Sequence, residues 1–205
     1  TPDGDRLYFV NAGASQMVAG TLGYYEVATA MVQEIGTIMV GSSPLNGLDQ
    51  AAISPANELY VTNTLNDSLY TVDKATGAAT WLGQVANQAT GVAINISGGD
   101  IAFGADGTLY MWANAARTGA PRGLYTLNLA PVGGQVLSTH VGEGSTLDFF
   151  NGLAVRANGM GDMIGSSSDN FIHLHSKTTA DDVIDPLPMY LDGMPFNAEG
   201  GDLTT

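Results

Sequence analysis

The sequence predicts an all-β chain folded as a β-propeller of four roughly 50-residue, four-stranded blades. Three observations carry the prediction: a repeat period of about fifty residues, a doubled Leu-Tyr strand motif inside the repeat, and a C-terminal string that continues into the N-terminal one. A unit of this size with an apolar face it cannot bury alone must stack on its neighbours, which is how propeller blades close around an axis.

The second and third repeats define the unit. Leu59 to Val85 reads LYVTNTLNDSLYTVDKATGAATWLGQV, and Leu109 to Val141 reads LYMWANAARTGAPRGLYTLNLAPVGGQVLSTHV. Each gives a Leu-Tyr strand, a turn rich in Asn or Gly, a second Leu-Tyr-Thr strand, another turn and a third strand. A further short strand precedes each, DQAAISPANE and GDIAFGADGT, ending in the turn signals Pro-Ala-Asn and Ala-Asp-Gly. The unit is therefore four antiparallel strands.

A third copy begins at Asn151 (NGLAVRANGMGDMIGSSSDNFIHLHSK), and the chain opens with a fourth, TPDGDRLYFVNAG followed by GYYEVAT and MVQEIGTIMVG. Repeats are expected at 1–48, 49–98, 99–150 and 151–205 of a single domain, 1–205. The C-terminal GGDLTT matches GGDIAF, so the last strand is expected to complete the first blade and leave no naked sheet edge. Two readings stay open: four blades closing on themselves, or a unit of a larger ring or filament formed by self-association. A β-sandwich with accidental repeats is the remaining alternative.

At Tyr60-Val61-Thr62-Asn63, followed by Leu69-Tyr70-Thr71-Val72-Asp73 and Ala75-Thr76-Gly77, the sequence resembles the YVTN family of secreted and surface-layer β-propeller repeats of bacteria and archaea. The resemblance implies a propeller and an extracellular, cell-surface or periplasmic setting. It implies no particular activity, because sites are grafted on folds.

Composition narrows the function classes. Twenty acidic residues against six basic ones give a net charge of −14, which repels phosphate backbones and anionic lipid surfaces and argues against nucleic acid as a partner. There is no cysteine, so thiolate sites and disulfides are excluded. No apolar run is long enough for a transmembrane segment. A first residue of Thr1 and the scarcity of lysine point to a processed, exported protein. P-loop, His-Glu-x-x-His and Gly-x-Ser-x-Gly motifs are absent, so the expectation is a non-enzymatic binding or structural module for a protein or carbohydrate ligand.

Three groups of residues are the site candidates. His173 and His175, two apart on a strand, project from one face and can offer two imidazoles to copper or zinc, with His140 or Asp169 as a further ligand. Aligning Phe171-Ile172-His173-Leu174-His175 with Leu69-Tyr70-Thr71-Val72-Asp73 puts the histidines at Thr and Asp positions, so the alternative is a solvated polar face. The second group is a ring of oxygens, Asp49, Asp100, Asn151 and Asp202, one per repeat near the first strand, suited to calcium or sodium in the central channel. Asp49 is one residue out of register, and the alternative is that these side chains cap Gly turns. The third is the repeat-breaking stretch Thr178 to Asn197, which is either an irregular outer strand or a loop presenting Met189, Tyr190, Met194 and Phe196 to a partner.

Overall fold

The computed structural model describes residues 5–11, 18–144, 150–156, 162–167, 171–181, 183, 187–188, 190–191 and 194–195, and among them there is no helix. The strands form four successive antiparallel units. Unit 1 contains β1 (Arg6–Asn11), β2 (Thr21–Glu26) and β3 (Met31–Thr37), followed by a small hairpin of β4 (Met39–Val40) and β5 (Ser43–Pro44). Unit 2 is β6 (Leu48–Ile53), β7 (Leu59–Asn63), β8 (Ser68–Val72) and β9 (Ala79–Asn87).

Unit 3 repeats that order with β10 (Gly99–Phe103), β11 (Leu109–Ala113), β12 (Gly123–Leu127) and β13 (Gln135–Gly142). Unit 4 is β14 (Phe150–Val155), β15 (Asp162–Ser167), β16 (Phe171–Ser176) and the short β17 (Leu187–Pro188). A last hairpin joins β18 (Tyr190–Leu191) to β19 (Met194–Pro195). The first strands β6, β10 and β14 lie side by side. The C-terminal residues expected to complete unit 1, Asp202 among them, lie outside the described residues.

Both faces of the central strands are covered, which explains why β7 and β11 are buried along their whole length, β11 with an apolar run and β7 with Thr62 and Asn63 hydrogen-bonded to Gln50 and Asn46. Three apolar layers do the covering. Val61, Tyr70 and Val72 of unit 2 pack with Leu22 and Ile38 of the first repeat. The opposite face of unit 2, with Tyr60 and Leu69, meets Met111, Tyr125 and Val136 of unit 3. Tyr110, Trp112 and Leu124 on the far face of unit 3 then meet Phe150, Leu153, Val155 and Met163 of unit 4.

The recurring alanine of each first strand has a packing reason. Ala52 stands opposite Tyr60 and Ala102 opposite Tyr110, so a small residue leaves room for the tyrosine ring. In unit 4 the pair is Ala154 and Ile164.

Units 2 and 3 share one further connection. The end of β9 pairs in parallel with the start of β13, from Gln84 with Gln135 to Asn87 with Ser138, and fuses the two units into an eight-stranded sheet. Each outer strand thereby covers the other's open edge. The Pro188 strand β17 is the outermost strand of unit 4, a position where a missing N–H costs no ladder bond.

Candidate functional site

The axis side of the molecule is built from the first strands. Cross-strand register makes Gln50, not Asp49, the counterpart of Asp100, since Ala51 faces Val61 as Ile101 faces Met111. The equivalent position in unit 4 is Gly152, because Leu153 faces Gly165. The equivalent positions therefore run Gln50, Asp100, Gly152, and the glycine brings no side chain to the ring read from the sequence. A bulge between Phe150 and Gly152 sits beside Asn151, whose side chain is not described.

Asp100 binds the next unit, whereas Gln50 binds its own unit and the segment that leads into β10. Asp100 is buried, and its Oδ1 accepts the N–H of Ile101 at 2.7 Å while Oδ2 accepts the N–H of Leu153 in β14 at 2.6 Å. Gln50 donates from Nε2 to the carbonyl of Ile96 at 2.8 Å and accepts from the Thr62 hydroxyl at 3.0 Å. Asp49 is exposed and accepts from Gly98 N–H at 3.1 Å. Asn114 adds a two-point clamp, donating to the Phe150 carbonyl at 2.8 Å and accepting from its N–H at 3.0 Å. Buried backbone groups need such partners, so Asp100 and Asn114 join strands of neighbouring units, while Gln50 and Asp49 hold the segment between β9 and β10.

The histidine pair lies in unit 4, facing unit 3. His173 and His175 are both 1% exposed, which overturns the solvated-face alternative. Register explains the difference: His173 pairs with Gly165, placing it at the position of Tyr70 and Tyr125, and His175 falls at the position of Val72 and Leu127. Reading the strand one residue out of step exchanged its two faces.

The rings stack with centroids 5.8 Å apart and planes 4° from parallel. Phe150 meets both edge-on, at 5.2 Å and 4.8 Å, and Trp112 lies 5.0 Å from His175. His175 Nδ1 is 3.1 Å from the Ala180 carbonyl. Parallel rings direct their in-plane lone pairs side by side, so a shared ion at this pair requires one ring to turn.

His140 is elsewhere, on β13, with Nε2 3.0 Å from the Arg122 carbonyl and its ring 4.9 Å from that of Tyr125. Among the described residues no group of three His, Asp or Glu side chains is placed to hold a metal. Asp169, Met189 and Phe196 lie outside the described residues. Tyr190 and Met194 form the final hairpin, and their side chains are likewise undescribed.

One open site escaped the sequence reading. A cleft of about 640 Å³ lies at the outer seam of units 2 and 3, with Asn66, Trp81 and Gln84 on one side and Gly133, Gly134 and Gln135 on the other. Tyr70 and Ser68 line it as well and are buried. Trp81 is 47% exposed, whereas Trp112 is 3% exposed. The parallel pairing of β9 with β13 brings these distant segments together.

No sequence family and no curated protein matches the chain. Solved structures do. The chain is similar to a protein of unknown function from Bacteroides thetaiotaomicron at 12% identity, over all of this chain and 52% of that one, with a TM-score of 0.60. It is similar to TolB from Acinetobacter baumannii at 17% identity, over 97% of this chain and 45% of that one, with a TM-score of 0.55. The β-propeller domain of Cps50 (Swd1) from Myceliophteria thermophila matches at 9% identity, over 89% and 51% of the two chains, with a TM-score of 0.50. The chain thus spans about half the length of the solved structures it matches. Such identities carry the fold alone, and together with the stacked four-stranded units they make this chain a β-propeller.

Proposed function

We propose that this propeller is a non-enzymatic, exported or cell-surface module that binds a partner or serves as a structural element. The observation that carries the reading is the use made of its polar side chains: Asp100 and Asn114 each hold the backbone of the following unit, and Gln50 holds the segment leading into β10. They are framework groups, and a rigid framework displaying a surface cleft suits binding. The net charge of −14 and the likeness to YVTN repeats at Tyr60 to Asn63 support export. Incubation with ester, lactone and glycoside substrates is expected to give no turnover above the uncatalysed rate; specific turnover overturns the reading.

The finer architecture belongs to the same proposal: four units close on themselves, with residues 201–205 supplying the first strand of unit 1. Deleting those five residues is then expected to lower the melting temperature and promote association, read by light scattering. The full chain is expected to be a monomer, and a defined oligomer favours the larger ring or filament.

A second reading, copper or zinc at His173 and His175, draws on their shared strand face and close approach. Elemental analysis of protein purified without chelator tests it. Stoichiometric metal that disappears in the His173→Ala, His175→Ala double variant supports the site, and unchanged metal content rejects it. The same analysis reads calcium for the axial group.

A further inference from the structure

We infer that the cleft between units 2 and 3 is a binding site for a short neutral saccharide, with Trp81 as the platform for one pyranose ring. This rests on the binding-module reading and assigns that module a ligand class and a place. A lone exposed aromatic on a protein surface is ordinary. Trp81 differs because it borders a shallow, largely open site of about 640 Å³ and is flanked by amides from two units.

The chemistry of the lining selects the ligand. In a chain with 20 acidic residues, the cleft is lined by no Asp, Glu, Lys, Arg or His. An anionic or cationic ligand would find no counter-charge there, whereas a hydroxyl-rich neutral one finds donors and acceptors in the same side chains. Asn66 donates to the Tyr70 hydroxyl at 3.1 Å and Gln135 donates to the Gly91 carbonyl at 3.3 Å. Those bonds orient the two amides and leave their carbonyl oxygens as acceptors. An indole supplies a flat apolar surface whose π-face attracts the polarised C–H groups of a pyranose, while the amides meet its hydroxyls.

The site is also held in shape. Gly134 has a φ of +79°, and a Cβ there would lie 3.2 Å from the Trp81 ring, so the Gly133-Gly134 turn rests against the indole edge because it has no side chain. The Gly134 carbonyl accepts the N–H of Gln84 at 3.0 Å, tying that turn to β9. Preorganisation of this kind lowers the ordering cost of binding.

The experiment titrates the full chain with cellobiose, lactose, maltose and diacetylchitobiose, and with digalacturonate as a charged comparator, at millimolar concentrations. Trp81 and Trp112 are the protein's two tryptophans, so acrylamide quenching separates an exposed indole from a buried one. At least one neutral disaccharide is expected to protect Trp81 from quenching, and digalacturonate is not. Trp81→Ala is expected to weaken binding at least ten-fold, with the buried Trp112 emission and the melting temperature unchanged as proof of folding. Trp81→Tyr retains a ring and is expected to bind better than Trp81→Ala. Failure of every neutral sugar to bind overturns the site and leaves the non-enzymatic reading standing, as does equal binding by Trp81→Ala. Binding accompanied by cleavage keeps the site and overturns the non-enzymatic reading.

Discussion

The carboxylate of Asp100 in unit 3 accepts the backbone N–H of Leu153 in unit 4 across 2.6 Å, inside the protein. One side chain thereby satisfies a strand it does not belong to. Asp100→Ala leaves that N–H buried without its acceptor and is expected to cost about 1–3 kcal/mol. Asp100→Asn retains an acceptor oxygen and should cost less. Urea unfolding at unchanged slope reads both values.

Gly165 and Phe150 make a second contact between strands, within unit 4. A Cβ at Gly165 would lie 2.5 Å from the Phe150 ring, which is itself fully buried between the histidines and Trp112. Gly165→Ala is expected to destabilise the protein by about 1–3 kcal/mol through overpacking. A Phe150→Leu change in the same chain should recover part of the loss, which a double-mutant cycle measures.

Arg117 of unit 3 reaches Asp67 of unit 2 at 2.6 Å, where the aspartate side chain is 9% exposed and the arginine 41%. Solvent around the guanidinium limits the coupling to about 0.5–1 kcal/mol. Asp67 has a φ of +50°, a region that asparagine also tolerates, so the cycle uses Asp67→Asn with Arg117→Ala. The coupling should shrink as salt is raised.

Burial pushes the Tyr60 and Tyr125 phenols up to about 12 from an ordinary 10.0, and for Tyr60 the hydrogen bond it donates to Glu58 at 3.0 Å adds to the effect. Between those values the folded chain binds more protons than the unfolded one. The stabilisation they contribute is therefore complete below pH 10 and is lost as pH rises toward 12. Denaturant titrations over that window should show the decline, with absorbance at 295 nm reporting late ionisation. Tyr60→Phe should flatten part of the slope.

Repeats made the units legible. The Leu-Tyr strands fell at β7, β8, β11 and β12 as the sequence indicated, because both faces of these strands are buried and their apolar runs have no substitute. Register was less legible. Bulges between Leu69 and Tyr70, between Leu124 and Tyr125 and between Phe150 and Gly152 shift the count by one, and a one-residue slip exchanges the faces of a strand. The pairing of β15 with β16 has no bulge, and there the slip comes from matching Phe171 with Leu69 when register sets it at the place of Ser68, which moves His173 and His175 to the wrong side of β16. The Trp81 cleft had no signature in the chain, because Gln84 and Gln135 meet through a parallel pairing that local sequence does not encode.

That pairing also bears on how the protein comes apart. Units 2 and 3 are fastened by the Arg117–Asp67 pair and at the rim through β9 and β13, so neither can peel from the other by releasing one contact. They should open and close as one cooperative block, with amide exchange slowest from Leu59 to Gly142.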